Sequence, residues 1–301
     1  MIFQTYSDIM IKELITAMRP KQWYKNLVIF IGIVFSLKLL NLSLWIDVIT
    51  AFVVFCVISG CLYIINDIID ADKDKNHPKK RNRPIASGKL KTRDAWISAA
   101  ILLIVAFGVS YLINIWFLAS AVTFFLLILI YSMFLKQLAI VDMMVISVGF
   151  VIRAIAGCAA VGVIVSPWLI ICAFLLALFL AIGKRRHELV VLGKNAGNHR
   201  KILDGYSTEM LDQMMNITTS ALIMSYSIYT FFTGKIYIMI TIPFAFYGLF
   251  RYIYMVHAEN FGGEPEMLFR DKGMLLSMVL WAVLVVVILY GSSISRFLGV
   301  F

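Results

Sequence analysis

Long apolar runs, each about the length of a bilayer-crossing helix, dominate the pattern of hydrophobic and polar positions along this chain. An α-helix needs about 20 mostly apolar residues to cross the hydrocarbon core of a membrane. Such runs alternate with polar segments and predict nine transmembrane helices, at residues 26–41, 44–66, 94–112, 115–134, 141–163, 167–184, 214–233, 236–256 and 274–292. The pattern therefore predicts an all-α, polytopic membrane protein with a single transmembrane domain over residues 1–301.

The overall composition agrees with that pattern. Hydrophobic residues make up 61% of the chain and charged residues 15%, and the mean hydropathy is +0.91. Soluble domains are nearer half apolar and a quarter charged, so the composition excludes an ordinary soluble protein. Cys56, Cys61, Cys158 and Cys172 lie within apolar runs without metal-ligand spacing, and we expect them to be small packing residues.

Basic residues indicate which side of the membrane each loop occupies. Most of the 27 Lys and Arg residues fall in residues 1–25 and in the loops after the even-numbered helices, whereas Lys38, Lys235 and Arg296 fall on the opposite side. Cytoplasmic loops are enriched in Lys and Arg. We therefore expect a protein of a bacterial cytoplasmic membrane, with its N-terminus and long loops inside and its C-terminus outside. The net charge of +10 fits this topology and an attraction to anionic head groups and phosphates, and we expect no nucleic-acid partner.

An acidic cluster follows the second predicted helix, where the chain leaves the membrane. Asp67, Asp70 and Asp74 are spaced i, i+3, i+7, so a continuing helix would place them on one face, with Asn66 beside them and Asp72 on another face. Three carboxylates so close repel one another unless a cation lies between them, and oxygen ligands suit Mg²⁺ bound to a phosphate. A solvated acidic helix end is the alternative, but a helix C-terminus already carries partial negative charge. We therefore predict a catalytic Mg²⁺ site formed by the three aspartates.

Basic residues at the same membrane face are candidate phosphate ligands. Taken alone, the basic and aromatic residues just before the first helix, residues 19–25, fit an interfacial anchor better than a phosphate site. Arg153 is predicted inside the fifth helix and must face the bundle or a wet cavity; Asp142 is about three turns away, too far to pair with it. Lys184 and Glu188 would also form a surface pair, although we favour phosphate binding there. The candidate substrate-binding residues are Lys21, Lys25, Asn26, Arg81, Arg83, Tyr131, Lys136, Arg153, Lys184, Arg185, Arg186 and Glu188.

Four motifs together resemble a known family. They are Arg-Pro-Lys-Gln-Trp-x-Lys-Asn at 19–26, Asn-Asp-x-x-Asp-x-x-x-Asp at 66–74, Lys-Arg-x-Arg-Pro-Ile-Ala-x-Gly at 80–88, and Arg-Ala-Ile-Ala-Gly at 153–157. The chain is similar to the UbiA prenyltransferase superfamily, and most of all to its decaprenyl-phosphate phosphoribosyltransferase branch, which residues 263–272 also fit. The resemblance implies nine helices around a central cavity that opens laterally to lipid, with a Mg²⁺-diphosphate site at its cytoplasmic mouth.

One departure from the superfamily pattern bears on the substrate. Most members carry a second acidic motif, Asp-x-x-x-Asp, at the end of the sixth helix, whereas Lys184 and Glu188 occupy that spacing here, beside Arg185 and Arg186. A basic cluster suits a bare phosphate better than a metal. The resemblance then implies that phosphoribosyl pyrophosphate supplies the diphosphate and that the lipid is a polyprenyl phosphate, whose oxygen attacks C1 of the ribose without a strong general base.

Two other functions stay open. A prenyltransferase of the same superfamily would use the same aspartates to move a prenyl group from a diphosphate to an aromatic acceptor. A transporter or lipid flippase would also fit nine helices and an intramembrane Arg153, but it would need broken helices or repeats near the midplane, and the polar residues gather at one face instead. A homo-oligomer is compatible with each of these functions.

Overall fold

The computed structural model describes residues 2–78, 80–164, 166–193, 201–258 and 271–297, and every regular element within those ranges is helical. This confirms the all-α prediction. The α-helices are α1 Ile2–Ala17, α2 Ile31–Phe35, α3 Ser43–Ile69, α4 Ala71–Lys75, α5 Thr92–Ile113, α6 Ile115–Met133, α7 Val141–Ala160, α8 Pro167–Leu192, α9 Thr208–Phe232, α10 Ile242–Ala258 and α11 Lys272–Phe297. Short 3-10 helices cover Pro20–Phe30, Lys80–Asn82, Leu135–Gln137, Lys201–Gly205 and Ile236–Thr241.

Within the described residues, seven helical segments are long and apolar enough to cross a membrane, so the predicted count of nine is not confirmed. The first predicted span is not one long helix: it is wound as the 3-10 helix Pro20–Phe30 followed by the five-residue α2. The seventh lies in α9, which is 25 residues long but carries many hydroxyl and amide side chains. The first segment therefore lacks a single helix long enough to count as a span, and α9 is long enough but not apolar enough.

The sixth predicted span ends later than the sequence indicated. Instead of stopping near residue 184, α8 continues to Leu192, and Gly193 follows with a positive φ of 50°. Such a conformation after a helix favours glycine because it has no Cβ. Lys184 to Glu188 are consequently part of the helix and not of the loop that follows it.

Contacts along the chain divide it into two compact units, Met1–Met133 with Ile152–Ile164, and Phe134–Val151 with Val165–Phe301. The first unit is built around buried aromatic rings of α3 and α6: the Phe55 ring centre lies 5.7 Å from that of Phe117 and 5.2 Å from that of Phe124. In the second unit, Phe179 of α8 packs on Tyr252 of α10 at 4.8 Å. The single domain over residues 1–301 stays a prediction.

Two glycines bring backbones of the first unit into direct contact. A Cβ on Gly157 of α7 would lie 2.0 Å from the carbonyl oxygen of Ile29, and one on Gly32 would lie 2.7 Å from the backbone of Gly157 and Cys158. No side chain fits between backbones this close, so both positions require glycine. This approach holds the 3-10 segment that carries Asn26 against the half of α7 that carries Arg153.

Candidate active site

Two carboxylates near the end of α3 converge on one guanidinium. Arg83 Nη1 lies 3.1 Å from Asp67 Oδ1 and 2.5 Å from Asp74 Oδ2. The helical path is nearly continuous across the break at Asp70, because the Asp70 N–H donates to Asn66 O and the Asp74 N–H donates to Asp70 O, each at 2.9 Å. Asp67 and Asp74 are only 2% and 3% exposed. The structure thus brings this predicted pair together, but in a buried setting and not at a solvated helix end.

Arg19 is the second cation on Asp67. Its guanidinium donates to Asp67 Oδ1 and lies 4.8 Å from the centre of the Tyr63 ring. Arg19 has a positive φ of 52° and immediately precedes Pro20, at the break between α1 and the 3-10 helix. Proline disfavours helical backbone at the residue before it. Ala17 and Met18 pack with Cys61 and Ile64 of α3, and this packing places Arg19 beside Asp67.

The oxygen ligands at this position suit a divalent cation. One cationic nitrogen lies within hydrogen-bond distance of both Asp67 and Asp74, so the two carboxylates face the same position. No group of three or more His, Cys, Asp or Glu side chains within the described ranges could hold a metal ion, so Asp70 does not complete a three-carboxylate set here. Asp67 and Asp74 fit Mg²⁺ as protein ligands, with further positions left to water and phosphate oxygens.

Asp72 lies on a different face from that pair. Its side chain is 94% exposed and accepts a hydrogen bond from Lys75 Nζ at 2.8 Å. That bond lowers the pKa of Asp72 below its ordinary value. Asp72 therefore points away from Asp67 and Asp74, as its position in the helix predicts.

Arg153 is buried inside the first unit, which confirms that it faces the bundle. Its Nε donates to Asn26 Oδ1 at 2.8 Å, and its guanidinium lies 4.4 Å from the centre of the Phe124 ring. Asn26 is 1% exposed and donates in turn to Cys56 Sγ at 3.3 Å. A cation over an aromatic face and an amide oxygen together offset part of the cost of removing this charge from water.

In the second unit, a buried network joins the start of α7 to α8. Arg185 Nε lies 3.3 Å from Asp142 Oδ2, and Arg185 Nη1 pairs with Glu188. The Tyr206 hydroxyl donates to Asp142 Oδ1 at 3.3 Å and accepts a bond from the Ile140 N–H at 2.5 Å. Burial raises the pKa of Tyr206, so the phenol keeps the proton that it donates. Arg185 therefore has two carboxylate partners, and one of them is Glu188, for which the i, i+4 spacing had suggested Lys184 as the partner.

Arg186 belongs to a separate group that joins three helices of the second unit. Its Nε donates to Asp212 Oδ1 of α9 at 2.5 Å, and its Nη1 donates to the carbonyl oxygen of Val256 in α10 at 3.2 Å. His257 Nε2 lies 3.0 Å from the same Asp212 oxygen. The carboxylate of Asp212 thus pairs with a guanidinium of α8 and contacts an imidazole of α10.

The remaining predicted site residues lie at differing depths. Lys21 and Arg81 are exposed. The others are half-buried, namely Lys25, Asn66, Asp70, Tyr131, Lys136 and Lys184. Residues 263–270 of the motif before the last helix lie outside the described residues.

Several partners in these networks were not singled out from the sequence. Arg19 is the first residue of the motif at 19–26, and this position in the motif marks it as a candidate site residue. The sequence suggests Asp142 only as a partner of Arg153, from which about three helical turns separate it. Tyr206, Asp212 and His257 carried no local signal, because their importance depends on helices that are distant in sequence.

Comparison with known proteins decides the family. The model of the UbiA prenyltransferase family matches residues 27–279. The chain belongs to this family. It is 31% identical to a decaprenyl-phosphate phosphoribosyltransferase of Corynebacterium glutamicum, over 92% of this chain and 86% of that protein, and 29% identical to one of Mycobacterium tuberculosis, over 90% and 92%.

The fold agrees with this membership. The structure of a UbiA homolog from Archaeoglobus fulgidus, bound to DMAPP and Mg²⁺, superposes with a TM-score of 0.71 and 17% identity, covering 92% of this chain and 99% of that one. An identity this low establishes the shared fold alone. The chain is thus an integral membrane protein of a family of transferases, and the resemblance drawn from its motifs is confirmed.

Proposed function

We propose that this UbiA-family protein transfers the 5-phosphoribosyl group of phosphoribosyl pyrophosphate to a polyprenyl phosphate and releases pyrophosphate. The observation that carries the proposal is the similarity to decaprenyl-phosphate phosphoribosyltransferases over about nine-tenths of the chain. The replacement of the superfamily's second acidic motif by Lys184, Arg185, Arg186 and Glu188 supports the same substrates, because extra cations suit a lipid monophosphate.

The donor would be bound by the first unit. Asp67 and Asp74, helped by Asp70 and Asn66, would hold Mg²⁺ on the pyrophosphate. When bound, the metal neutralises charge that develops on this leaving group. Arg83 and Arg19 would then exchange their carboxylate contacts for phosphate oxygens, to which a guanidinium can donate two parallel hydrogen bonds. The remaining candidates in this unit are Lys21, Lys25, Asn26, Arg81, Tyr131 and Arg153.

The lipid phosphate would be bound by the second unit. Lys136 and the charged turn of α8, residues 184–188, supply its cations. Of these, Lys136, Lys184 and Arg186 are half-buried, whereas Arg185 is 2% exposed and paired with two carboxylates. We therefore assign direct contact to the more accessible cations, and we assign to Arg185 and Glu188 the shaping of the turn.

The chemistry requires little proton transfer. The bond between ribose C1 and the pyrophosphate oxygen breaks, the bond between C1 and an oxygen of the lipid phosphate forms, and pyrophosphate departs with the electron pair. A phosphate monoester is already anionic near neutral pH, so the nucleophile needs no strong base. The arginines and lysines stabilise the transferring and departing phosphates electrostatically.

A second candidate is transfer of a prenyl group from a prenyl diphosphate to an aromatic acceptor. The observation that favours it is the match to the UbiA prenyltransferase family model itself. The aspartates and Mg²⁺ would act on the diphosphate in the same way, so the acceptor and the donor distinguish the two reactions.

One assay separates these functions. Purified protein in lipid nanodiscs is given phosphoribosyl pyrophosphate, Mg²⁺ and undecaprenyl phosphate, and pyrophosphate release is followed with and without the lipid. Release that depends on the lipid is expected. Parallel reactions with a prenyl diphosphate and an aromatic acid should release none; release only in those reactions would replace the proposed function with the second candidate.

We also propose a location and an orientation. The protein would lie in a bacterial cytoplasmic membrane with its N-terminus and substrate-binding residues on the cytoplasmic side, where a soluble sugar phosphate is available, and with its C-terminus outside. A homo-oligomer is compatible with this arrangement, and gel filtration with light scattering in detergent would test it.

A further inference from the structure

Ile140, just before α7, has a backbone conformation that a β-branched residue rarely adopts. Its φ is +66°. Such a conformation costs about 1–3 kcal/mol and persists only where the surroundings enforce it, often at functional sites. Ile140 lies between the short 3-10 helix that carries Lys136 and the buried Asp142.

The Tyr206 hydroxyl is the group that meets this strained residue. It accepts a hydrogen bond from the Ile140 N–H at 2.5 Å and donates one to Asp142 Oδ1 at 3.3 Å. Tyr206 itself is 6% exposed, and the next residue, Ser207, caps α9 by accepting a bond from the Met210 N–H at 3.1 Å. The phenol is therefore fixed from its own side by the start of α9.

The same network continues into the charged turn of α8. Asp142 is completely buried and pairs with Arg185, and Arg185 pairs with Glu188. The phenol's hydrogen bond is therefore one of the contacts that satisfy a completely buried carboxylate. One hydroxyl thus contacts both the segment that carries Lys136 and the group that fixes the turn carrying Lys184.

We propose that Tyr206 is a positioning residue that keeps the segment 135–140 and the charged turn of α8 in fixed register, so that Lys136 and Lys184 are both held for the lipid phosphate. This inference rests on the proposed function for its substrate and on the hydrogen bonds of Tyr206 for its geometry. It assigns to Tyr206 no contact with either substrate.

Tyr206→Phe tests the proposal because it removes the two hydrogen bonds and keeps the ring. We expect the KM for polyprenyl phosphate to rise about tenfold, with the KM for phosphoribosyl pyrophosphate unchanged to within roughly twofold. The matched control is Tyr252→Phe, a buried tyrosine of the same unit whose hydroxyl makes no hydrogen bond with the described part of the chain. Its two KM values should equal those of the unmodified protein.

A rescue variant separates positioning from general destabilisation. Glycine adopts a positive φ without strain, so Ile140→Gly in the Tyr206→Phe background should return the lipid KM to within roughly threefold of the unmodified value. A merely structural role of Tyr206 would lower the melting temperature with no selective change in the lipid KM and no rescue. That result, or an equal rise in both KM values, overturns the proposal.

Hydrogen exchange makes the test independent of the substrates. In Tyr206→Phe the amides of residues 136–142 should exchange faster than in the unmodified protein, and in Tyr252→Phe they should not. Unchanged exchange at these amides would overturn the positioning role even if phosphoribosyl transfer is observed. If these amides exchange faster in Tyr206→Phe but the unmodified protein performs no phosphoribosyl transfer, the positioning role of Tyr206 is supported and the substrate assignment is rejected.

Discussion

Asp67 combines burial with two cationic partners, and this determines what its replacement does. Asp67→Asn removes one charge from the proposed Mg²⁺ site and should lower the phosphoribosyl transfer rate about 100-fold or more. The side chains of Arg19 and Arg83 are 30% and 24% exposed, so water can solvate them and the melting temperature should fall only slightly. Steady-state rates across a Mg²⁺ titration and thermal unfolding in detergent measure the two effects.

Asp72→Asn is the matched control for that variant. Its side chain is 94% exposed and pairs only with an exposed lysine among the contacts described above, so both rate and stability should stay near those of the unmodified protein. Near-normal turnover of Asp67→Asn at saturating Mg²⁺ would contradict the assignment of Asp67 as a metal ligand.

Arg185 and Arg186 are neighbours in sequence with different burial, and we expect their replacement to have unequal costs. Arg185→Ala removes a guanidinium from the fully buried Asp142 and should destabilise the protein by about 3–5 kcal/mol. Arg186→Ala removes a guanidinium from Asp212, whose side chain is 32% exposed and can be solvated by water. The free energy of unfolding should therefore fall by only about 1 kcal/mol. Denaturant or thermal unfolding of the two variants makes the comparison, and equal destabilisation would show that the buried pair has no special weight.

The residue scale also shows what the sequence could predict. The spacing of Asp67 and Asp74 was sufficient to place them together, because it depends only on local helical geometry. The partners of Arg185 and Arg186 were not predictable in this way. Asp142 lies 43 residues before Arg185, and Asp212 lies 26 residues after Arg186, so both pairs are products of tertiary packing.

Among the elements, the contact between the 3-10 segment and α7 is especially sensitive to side-chain size. Gly157→Ala would place a methyl group 2.0 Å from the carbonyl oxygen of Ile29, so the segments must separate. We expect a loss of about 1–3 kcal/mol in stability and a loss of activity, because Asn26 would no longer meet Arg153. Melting temperature and turnover are the measurements.

Gly108→Ala in α5 is the control for this substitution. A Cβ at Gly108 meets nothing within 4 Å, and alanine favours a helix interior over glycine by about 1 kcal/mol. Stability should therefore be unchanged or higher. A Gly157→Ala protein as stable and active as Gly108→Ala would show that the close approach is not required.

The two predicted spans that differ from the others do so for separate physical reasons. Pro20 begins the first segment, which is wound as a 3-10 helix before α2, and an apolar run does not reveal its winding. In α9 the hydroxyls bond back to carbonyl oxygens one turn earlier: Thr218 to Met214 at 2.8 Å and Thr219 to Met215 at 2.7 Å. Such bonds lower the cost of polar side chains in an apolar setting, which a hydropathy average does not record.

For the molecule as a whole, the arrangement of basic loops predicts a topology that labelling can test. Three candidate spans, α5, α6 and α7, separate Ser87 from the 98% exposed Ile164, so these residues should lie on opposite sides of the membrane whether the total is seven or nine. In spheroplasts, a membrane-impermeant maleimide should label Ile164→Cys and leave Ser87→Cys unlabelled until lysis. Three of the four native cysteines are buried and the fourth is half-buried, which keeps the background low.

A third position tests the count itself. If both the 20–35 segment and α3 cross the membrane, Lys12→Cys should behave like Ser87→Cys. Labelling of Lys12→Cys in intact spheroplasts would mean that the first segment does not cross. Labelling of Ser87→Cys before lysis would reverse the proposed orientation.

Family membership and helical class were predictable at this scale because they rest on motifs and on long apolar runs. The division into two units was not, since its boundary at residues 151 and 152 falls inside α7, where the sequence has no break.

This boundary inside α7 has a consequence for the order of synthesis. A ribosome releases residues 1–133 well before Ile152–Ile164, yet the first unit contains both. Until the second half of α7 is made, Asn26 has no Arg153 to accept from, Phe124 has no guanidinium over its ring, and Ile29 has no Gly157 to pack against. The nascent first unit must therefore remain incomplete in the membrane while the connection at residues 134–140 and the first half of α7 are translated, which is when a chaperone or insertase would be most needed.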